Sequence, residues 1–528
     1  MSEIAETEDL REVQPETLRK VSGRANSVTA GVVFNWLWYG VVVASGFIVP
    51  RAIDRKLGQE LLGIWDFAWS LVVYVRWVQM GLASPMSREV ARHRTLEDWQ
   101  GLNVILSSCA VIILVDSLIG LLIAAGLALA VPWLLPGLAP GVLKTAQWAA
   151  FLITSGAVFE MLASASSSVL SGMQRFDLFN LIRGGRDILQ IAAILLLLIL
   201  GYGVVALAAS VVVLTLLGNC LYIVAAWRVC PHLHISTRLF QWSAARQSLV
   251  FSTKHMVQIL SRSCMYQGNS ILVGWFMGPA GIAVFSRQRA LVLHLLNVVK
   301  QYSFVFIPKS SHLHARGNVG ELQKLLLASS RYGLYAAVPG VLVLVILGGP
   351  LVHLWMGPNY VQQSALTLLA AGHLLAIAQM GAFTILMGMD RHGRPALWEA
   401  GVALSSLVLA SLLMGPLDQG LVGVAVAIGL PVTVNGGLLT PWYACRVLNL
   451  PVRRYVAHVL PGPLLAGIPL AVCLVVARML FPQEPHYCLL VGAALGGTVM
   501  APIYWIWVLP ESLKSAIRRR VRVARVAS

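Results

Sequence analysis

Lys254-His-Met-Val-Gln258-Ile-Leu-Ser-Arg262-Ser-Cys-Met-Tyr266-Gln-Gly-Asn269 lies inside an apolar stretch that runs over residues 247–277. Spacings of four, four, four and three put Lys254, Gln258, Arg262, Tyr266 and Asn269 on one face of a helix. The stretch around them is long and hydrophobic enough to be a membrane span. A cation at the bilayer centre costs about 2.5 to 3.5 kcal/mol on insertion scales, so several on one face require a hydrated cavity rather than lipid. The next stretch, 281–307, repeats the device with Arg287, His294, Asn297 and Gln301, and with Lys300 beside them. Both stretches read as walls built to hold something anionic within a membrane.

Composition points the same way. Of 528 residues 58% are hydrophobic and only 12% charged, and mean hydropathy is +0.76; a soluble domain carries about twice that charged fraction. The net charge of +17 raises a nucleic-acid reading, but the basic residues are scattered through short interhelical loops, so no nucleic-acid partner is expected. Apolar runs give fourteen spans, at 28–50, 61–84, 101–131, 145–170, 184–200, 203–227, 247–277, 281–307, 332–356, 361–388, 395–415, 419–445, 458–481 and 486–509. With the N-terminus on the cytoplasmic side, that side holds 28 Lys and Arg and the other 7; the remaining four of 39, Arg76, Lys254, Arg262 and Lys300, lie within spans. The positive-inside rule then places both termini in the cytoplasm. The acidic N-terminal tail has no basic region leading into a short apolar core, so no signal peptide is expected. The seven cysteines occur singly, without a C-x-x-C pair, and read as packing residues rather than metal ligands. No metal and no cofactor are expected.

Three pairs of segments recur at a nearly constant offset. Gly58-Gln-Glu-Leu-Leu-Gly-Ile-Trp65 matches Gly278-Pro-Ala-Gly-Ile-Ala-Val-Phe285, Leu170-Ser-Gly-Met-Gln-Arg175 matches Leu386-Met-Gly-Met-Asp-Arg391, and Ala226-Trp-Arg-Val229 matches Ala444-Cys-Arg-Val447. The offsets are 220, 216 and 218 residues. A repeat of six spans preserves orientation, so the expected fold is an all-α membrane protein with two parallel six-helix lobes, 28–230 and 247–446. Two further helices follow over 458–509, flanked by cytoplasmic tails at 1–27 and 510–528.

Gly58 to Trp65, then Gly81-Leu-Ala-Ser-Pro-Met-Ser-Arg-Glu-Val-Ala-Arg92, Ser171-Gly-Met-Gln-Arg-Phe-Asp-Leu-Phe-Asn-Leu-Ile-Arg183 and Gly201-Tyr-Gly-Val-Val-Ala206 resemble the polysaccharide transporter, or O-antigen flippase, family. That family is a branch of the multidrug, oligosaccharidyl-lipid and polysaccharide exporter superfamily. The resemblance implies a bacterial inner-membrane flippase that moves undecaprenyl-diphosphate-linked oligosaccharide for lipopolysaccharide, capsule or exopolysaccharide synthesis. It implies membrane lipid and a glycan polymerase or chain-length protein as partners. The chain departs from the family pattern at Asn269, where relatives commonly carry an acidic residue.

The candidate substrate-binding set is Arg76, Lys254, Gln258, Arg262, Asn269, Arg287, His294, Asn297 and Lys300, because guanidinium forks and amines suit phosphate oxygens. Arg76 lies mid-span with Asp66 ten residues away, so the alternative is an ion pair with another helix, for instance at Asp116. Asp66, Asp116 and Glu160 are candidates for ion pairing or for coupling transport to an ion. The Gly201–Ala206 segment joins two spans instead of following a strand, so it is no dinucleotide site, and no G-x-x-x-x-G-K-[ST] loop occurs. The rivals are a multidrug extruder of the same superfamily, which would want an acidic lining, and a multi-span glycan polymerase or ligase, which would want a long periplasmic loop.

Overall fold

The computed structural model describes residues 40–77 and 83–508, with 511, 514 and 515. Among these the chain is helical and without strands. Ten stretches are long and apolar enough to cross a membrane. One of them, Leu260–Ala315, holds two of the expected spans, since the helix Trp242–Ser303 breaks at Gly278 (φ 71°, ψ −177°). The expected spans at 61–84 and 184–200 are the more charged helices Gln59–Arg76 and Phe176–Ile199. Most of the span at 28–50 lies outside the described residues, as do both expected tails apart from three isolated positions. Apolar side chains such as Leu122, Leu129 and Leu200, 74%, 68% and 61% exposed, form the kind of surface that only lipid would cover.

The first compact unit comprises, among the described residues, 40–52, 83–125 and 151–253. Helical residues begin at 40 and run to 57 (α1). An amphipathic helix α3 (Ala83–Leu96) packs against α6 (Ser164–Gly172), which continues α5 (Pro140–Leu162). Together with α4 (Trp99–Leu134), α7 (Phe176–Ile199) and α8 (Val204–Val229), they enclose a core that includes Met86, Val90, Leu106, Val169 and Ala226. Cys109 and Cys230 pack in that core.

The second unit comprises 53–77, 126–150 and the chain from 254 onward. It therefore holds α2 (Gln59–Arg76) and the facing ends of α4 and α5 from the first sequence repeat. Its own helices are α9 (Trp242–Ser303, broken at Gly278), α10 (Phe306–Ala315), α11 (Val319–Met356), α12 (Gln363–Ala378), α13 (Met380–Gly388), α14 (Gly393–Met414) and α15 (Gly420–Val432). A π-helical turn, Thr433–Leu439, leads into α16 (Thr440–Val447), followed by the short amphipathic α17 (Val452–Val459). The last two helices, α18 (Pro461–Leu480) and α19 (Pro485–Ile503), pack on α11 through Leu347, Leu470, Leu474 and Cys488. The sequence reading missed α3, α10 and α17, whose mixed polarity hides them from a hydropathy search.

The repeat reaches down to single backbone angles. Gly58 (φ 89°) and Gly278 (φ 71°), Glu97 (φ 54°) and Gly317 (φ 66°), and Gly137 (φ 81°) and Gly357 (φ 105°) are pairs 220 residues apart in the left-handed region. Gln174 (φ 59°) and Asp390 (φ 54°) form a fourth pair, 216 apart. That region is uncommon outside glycine, so its recurrence at one offset marks equivalent turns. Matching caps accompany it: Asp98 accepts from the Gly101 amide at 2.8 Å, and Asn318 accepts from the Glu321 amide at 3.1 Å. Gly172 and Gly388 make equivalent contacts as well. A Cβ on Gly172 would lie 2.7 Å from the Ser87 carbonyl oxygen of α3, and one on Gly388 would lie 2.5 Å from that of Ile307 in α10.

Candidate functional site

In the second unit, α12 and α15 approach so closely that a Cβ on Gly372 would meet the Gly429 backbone. Thr433 donates to the Gly372 carbonyl at 2.6 Å and to that of Gly429 at 2.8 Å. This contact turns His373 and the π-helical turn toward one enclosed cavity of about 320 Å³. Its wall includes Arg262, Tyr266, Lys300, His373, Glu399 and Asn435. Arg262 donates to Glu399 at 3.0 Å. Tyr266 Oη and His373 Nε2 lie 2.9 Å apart, and His373 Nδ1 is 2.7 Å from the Leu369 carbonyl oxygen. A proton on Nδ1 satisfies that carbonyl and leaves Nε2 to accept from the tyrosine. Lys300 lies 5.7 Å from the Phe304 ring centroid, a cation–π distance. The wall thus carries two permanent cations and one carboxylate, and that carboxylate is already engaged.

A second polar cluster fastens α2 to the part of α9 beyond Gly278. Arg287, 5% exposed at its side chain, donates to both oxygens of Asp66 at 2.8 and 2.6 Å and lies over Trp355. Tyr360 donates to Asp54, and Gln288 donates to the Tyr360 carbonyl at 2.6 Å. Arg289 donates to the Tyr266 carbonyl and to Ser270 Oγ, both at 2.6 Å. At Gly63 the two segments touch: any side chain there would run into the Pro279 carbonyl.

The candidate residues read from the sequence therefore scatter. Arg262 and Lys300 meet in the cavity wall. Arg287 is taken out of it by Asp66, so both belong to the α2 cluster. Asn269 is fully buried, with Nδ2 donating to the Met265 carbonyl at 2.7 Å and to Ser406 Oγ at 2.9 Å; it holds α9 to α14 instead of facing the cavity. His294 and Asn297 are half-buried on α9 outside the cavity lining. Arg76 closes α2 at an exposed position. Lys254 and Gln258 lie in α9 with side chains outside those described. In the first unit Glu160 pairs with Arg186 at 3.0 Å, and Arg186 also pairs with Asp187 at 2.9 Å. Asp116 is half-buried, with Oδ2 unpartnered among the described residues. The sequence reading missed Glu399, His373 and Asn435. Each is a single polar residue in an apolar span, a signal that was present but had no periodicity to strengthen it.

The architecture is shared with solved transporters. It resembles a multidrug resistance transporter of the MATE family and MOP superfamily in its inward-facing conformation, with a TM-score of 0.67 and 15% identity over 76% of this chain and 93% of that one. It resembles the lipid II flippase MurJ in an inward closed conformation, with a TM-score of 0.66 and 13% identity over 89% of this chain and 98% of that one. A MOP superfamily transporter from Pyrococcus furiosus Vc1 (DSM3638), described as having a binding pocket of reverse polarity, gives a TM-score of 0.59 at 14% identity over 80% and 95%. At such identities the likeness establishes a fold, that of the all-helical multi-span MOP transporters. The family model described as "Polysaccharide biosynthesis protein" matches residues 107–365. The uncharacterized membrane protein EpsK of Bacillus subtilis (strain 168) is 27% identical over 166 residues, 31% of this chain and 32% of that protein, so the match spans about a third of that relative. The resemblance read from the sequence stands: the chain carries the polysaccharide biosynthesis family across its middle, on a MOP transporter fold.

Proposed function

We propose that this protein is a flippase for polyprenyl-diphosphate-linked oligosaccharide. It takes its cargo from the cytoplasmic leaflet of a bacterial inner membrane and delivers it to the periplasmic leaflet by alternating access, with both termini in the cytoplasm. The observation that carries the reading is the lining of the second unit's cavity, where Arg262 and Lys300 face a single carboxylate, Glu399. Opposite charge in a low-dielectric site is worth several times its value in water, so the sign of the lining selects the sign of the cargo. A diphosphate can displace Glu399 from Arg262 and occupy both forks of the guanidinium. Each negative charge moved outward gains about 2.3 kcal/mol per 100 mV of inside-negative potential, enough to favour export of a doubly charged head group without a coupled ion. Polysaccharide assembly outside the membrane then supplies the consumer, a glycan polymerase with its chain-length partners.

Glu399 and the aromatic residues of the wall are what a cationic drug would use, so the extruder remains the rival to test. In proteoliposomes the purified protein should translocate a polyprenyl-diphosphate glycan and leave a cationic dye behind. Dye export without glycan movement would replace this reading with the extruder.

A further inference from the structure

We infer that the cavity reads the sugar joined to the diphosphate, and that Asn435 is the residue that reads it. The inference rests on the flippase reading and names the part of the cargo that this wall recognises. Asn435 is 4% exposed, stands in the cavity wall, and has an Oδ1 with no hydrogen-bond partner among the described residues. The other acceptors around it are engaged. Glu399 holds Arg262, His373 Nε2 faces the Tyr266 hydroxyl, and Gln379 Oε1 accepts from Tyr455. A buried carbonyl oxygen left empty is costly, and only an O–H or N–H can satisfy it. Neither a phosphate oxygen nor a hydrocarbon tail offers one at neutral pH. A sugar hydroxyl or an acetamido N–H does.

The backbone holds this acceptor in place. Asn435 sits in the π-helical turn Thr433–Leu439, the kind of bulge that recurs at functional sites. Two glycines after it let the turn lie on α12. A Cβ on Gly436 would come within 2.6 Å of the Ala376 Cβ, and one on Gly437 within 2.7 Å of the Leu375 Cβ. The Thr433 bonds to Gly372 and Gly429 fix the turn from its other end. Size sets the scope of recognition. A cavity of about 320 Å³ is at the small end for ligand sites and takes one sugar with its phosphate rather than a whole oligosaccharide. Arg262 and Lys300 answer the phosphate, and Asn435 answers the sugar.

The test compares two probes in proteoliposomes, polyprenyl diphosphate carrying one N-acetylhexosamine and bare polyprenyl diphosphate. The wild-type protein should move the sugar-bearing probe about tenfold faster, the effect of one buried acceptor satisfied against left empty. Asn435→Leu should bring the ratio close to one, while Asn435→Asp, which keeps an acceptor at the same place, should keep the preference. Should Asn435→Leu fail to fold, Asn435→Ser, whose oxygen is too short to reach, serves in its place. An unchanged ratio in the variant, or a wild-type ratio near one, overturns the inference while leaving the flippase standing. A wild-type protein that moves neither probe but exports a cationic dye overturns the flippase reading itself.

Discussion

Arg262 is where a sequence pattern and a three-dimensional wall coincide, because its helical spacing with Tyr266 survives intact into the cavity. Arg262→Ala should therefore depress glycan translocation strongly while the amount inserted in the membrane stays near normal. Arg262→Lys should keep part of the activity, since the charge remains and the bidentate fork is lost. Arg262→Glu should abolish it by putting a second carboxylate opposite Glu399; initial rates in proteoliposomes, normalised to protein incorporated, decide among these outcomes. The same pattern misled at Arg287 and Asn269. One lies 221 residues along the chain from its partner Asp66, and the other turns to Ser406. Periodicity tells which residues share a helix face, but which neighbour that face meets depends on contacts between distant segments, and these leave no mark on local sequence.

At the scale of the helix, the close approaches are set by residues without side chains. Gly63 lies against the Pro279 carbonyl and Gly372 against Gly429, so Gly63→Ala and Gly372→Ala must push two helices apart. Overpacking of this kind costs about 1–3 kcal/mol. Each substitution should lower the melting temperature measured in detergent, whereas Gly126→Ala, with open space around it, should not. Gly58→Ala and Gly278→Ala should destabilise by similar amounts, because both force a Cβ into the left-handed region at equivalent turns. The spans themselves were legible, since twenty apolar residues in a row have few alternatives. The amphipathic helices between them were not, because eight to fourteen residues of mixed polarity look like loop until a core is found beneath one face.

The whole molecule is a duplicated chain, and the duplication was readable from three short matches because turns that need left-handed residues tolerate little drift. Its topology can be tested directly. In a background with the seven cysteines replaced by serine, Thr95→Cys and Arg316→Cys should react with an impermeant maleimide from the same side, and Leu138→Cys and Asn359→Cys from the other. A mixed result would break the parallel assignment. The duplication is not, however, a division of labour between two independent halves. α2 comes from the first repeat, yet Asp66 bonds Arg287, Asp54 accepts from Tyr360, and Gln59 donates to the Ala280 carbonyl at 3.4 Å, all across more than 200 residues of chain. If the gene is cut within residues 231–241 and the two fragments are expressed from separate messages, each will carry one face of this fastening. A tag on either fragment should then recover both from the membrane. Asp66→Ala, which strands a buried guanidinium at a cost of about 3–5 kcal/mol, should weaken that recovery. The covalent link between the repeats is thus dispensable for their partnership in a way that one carboxylate is not.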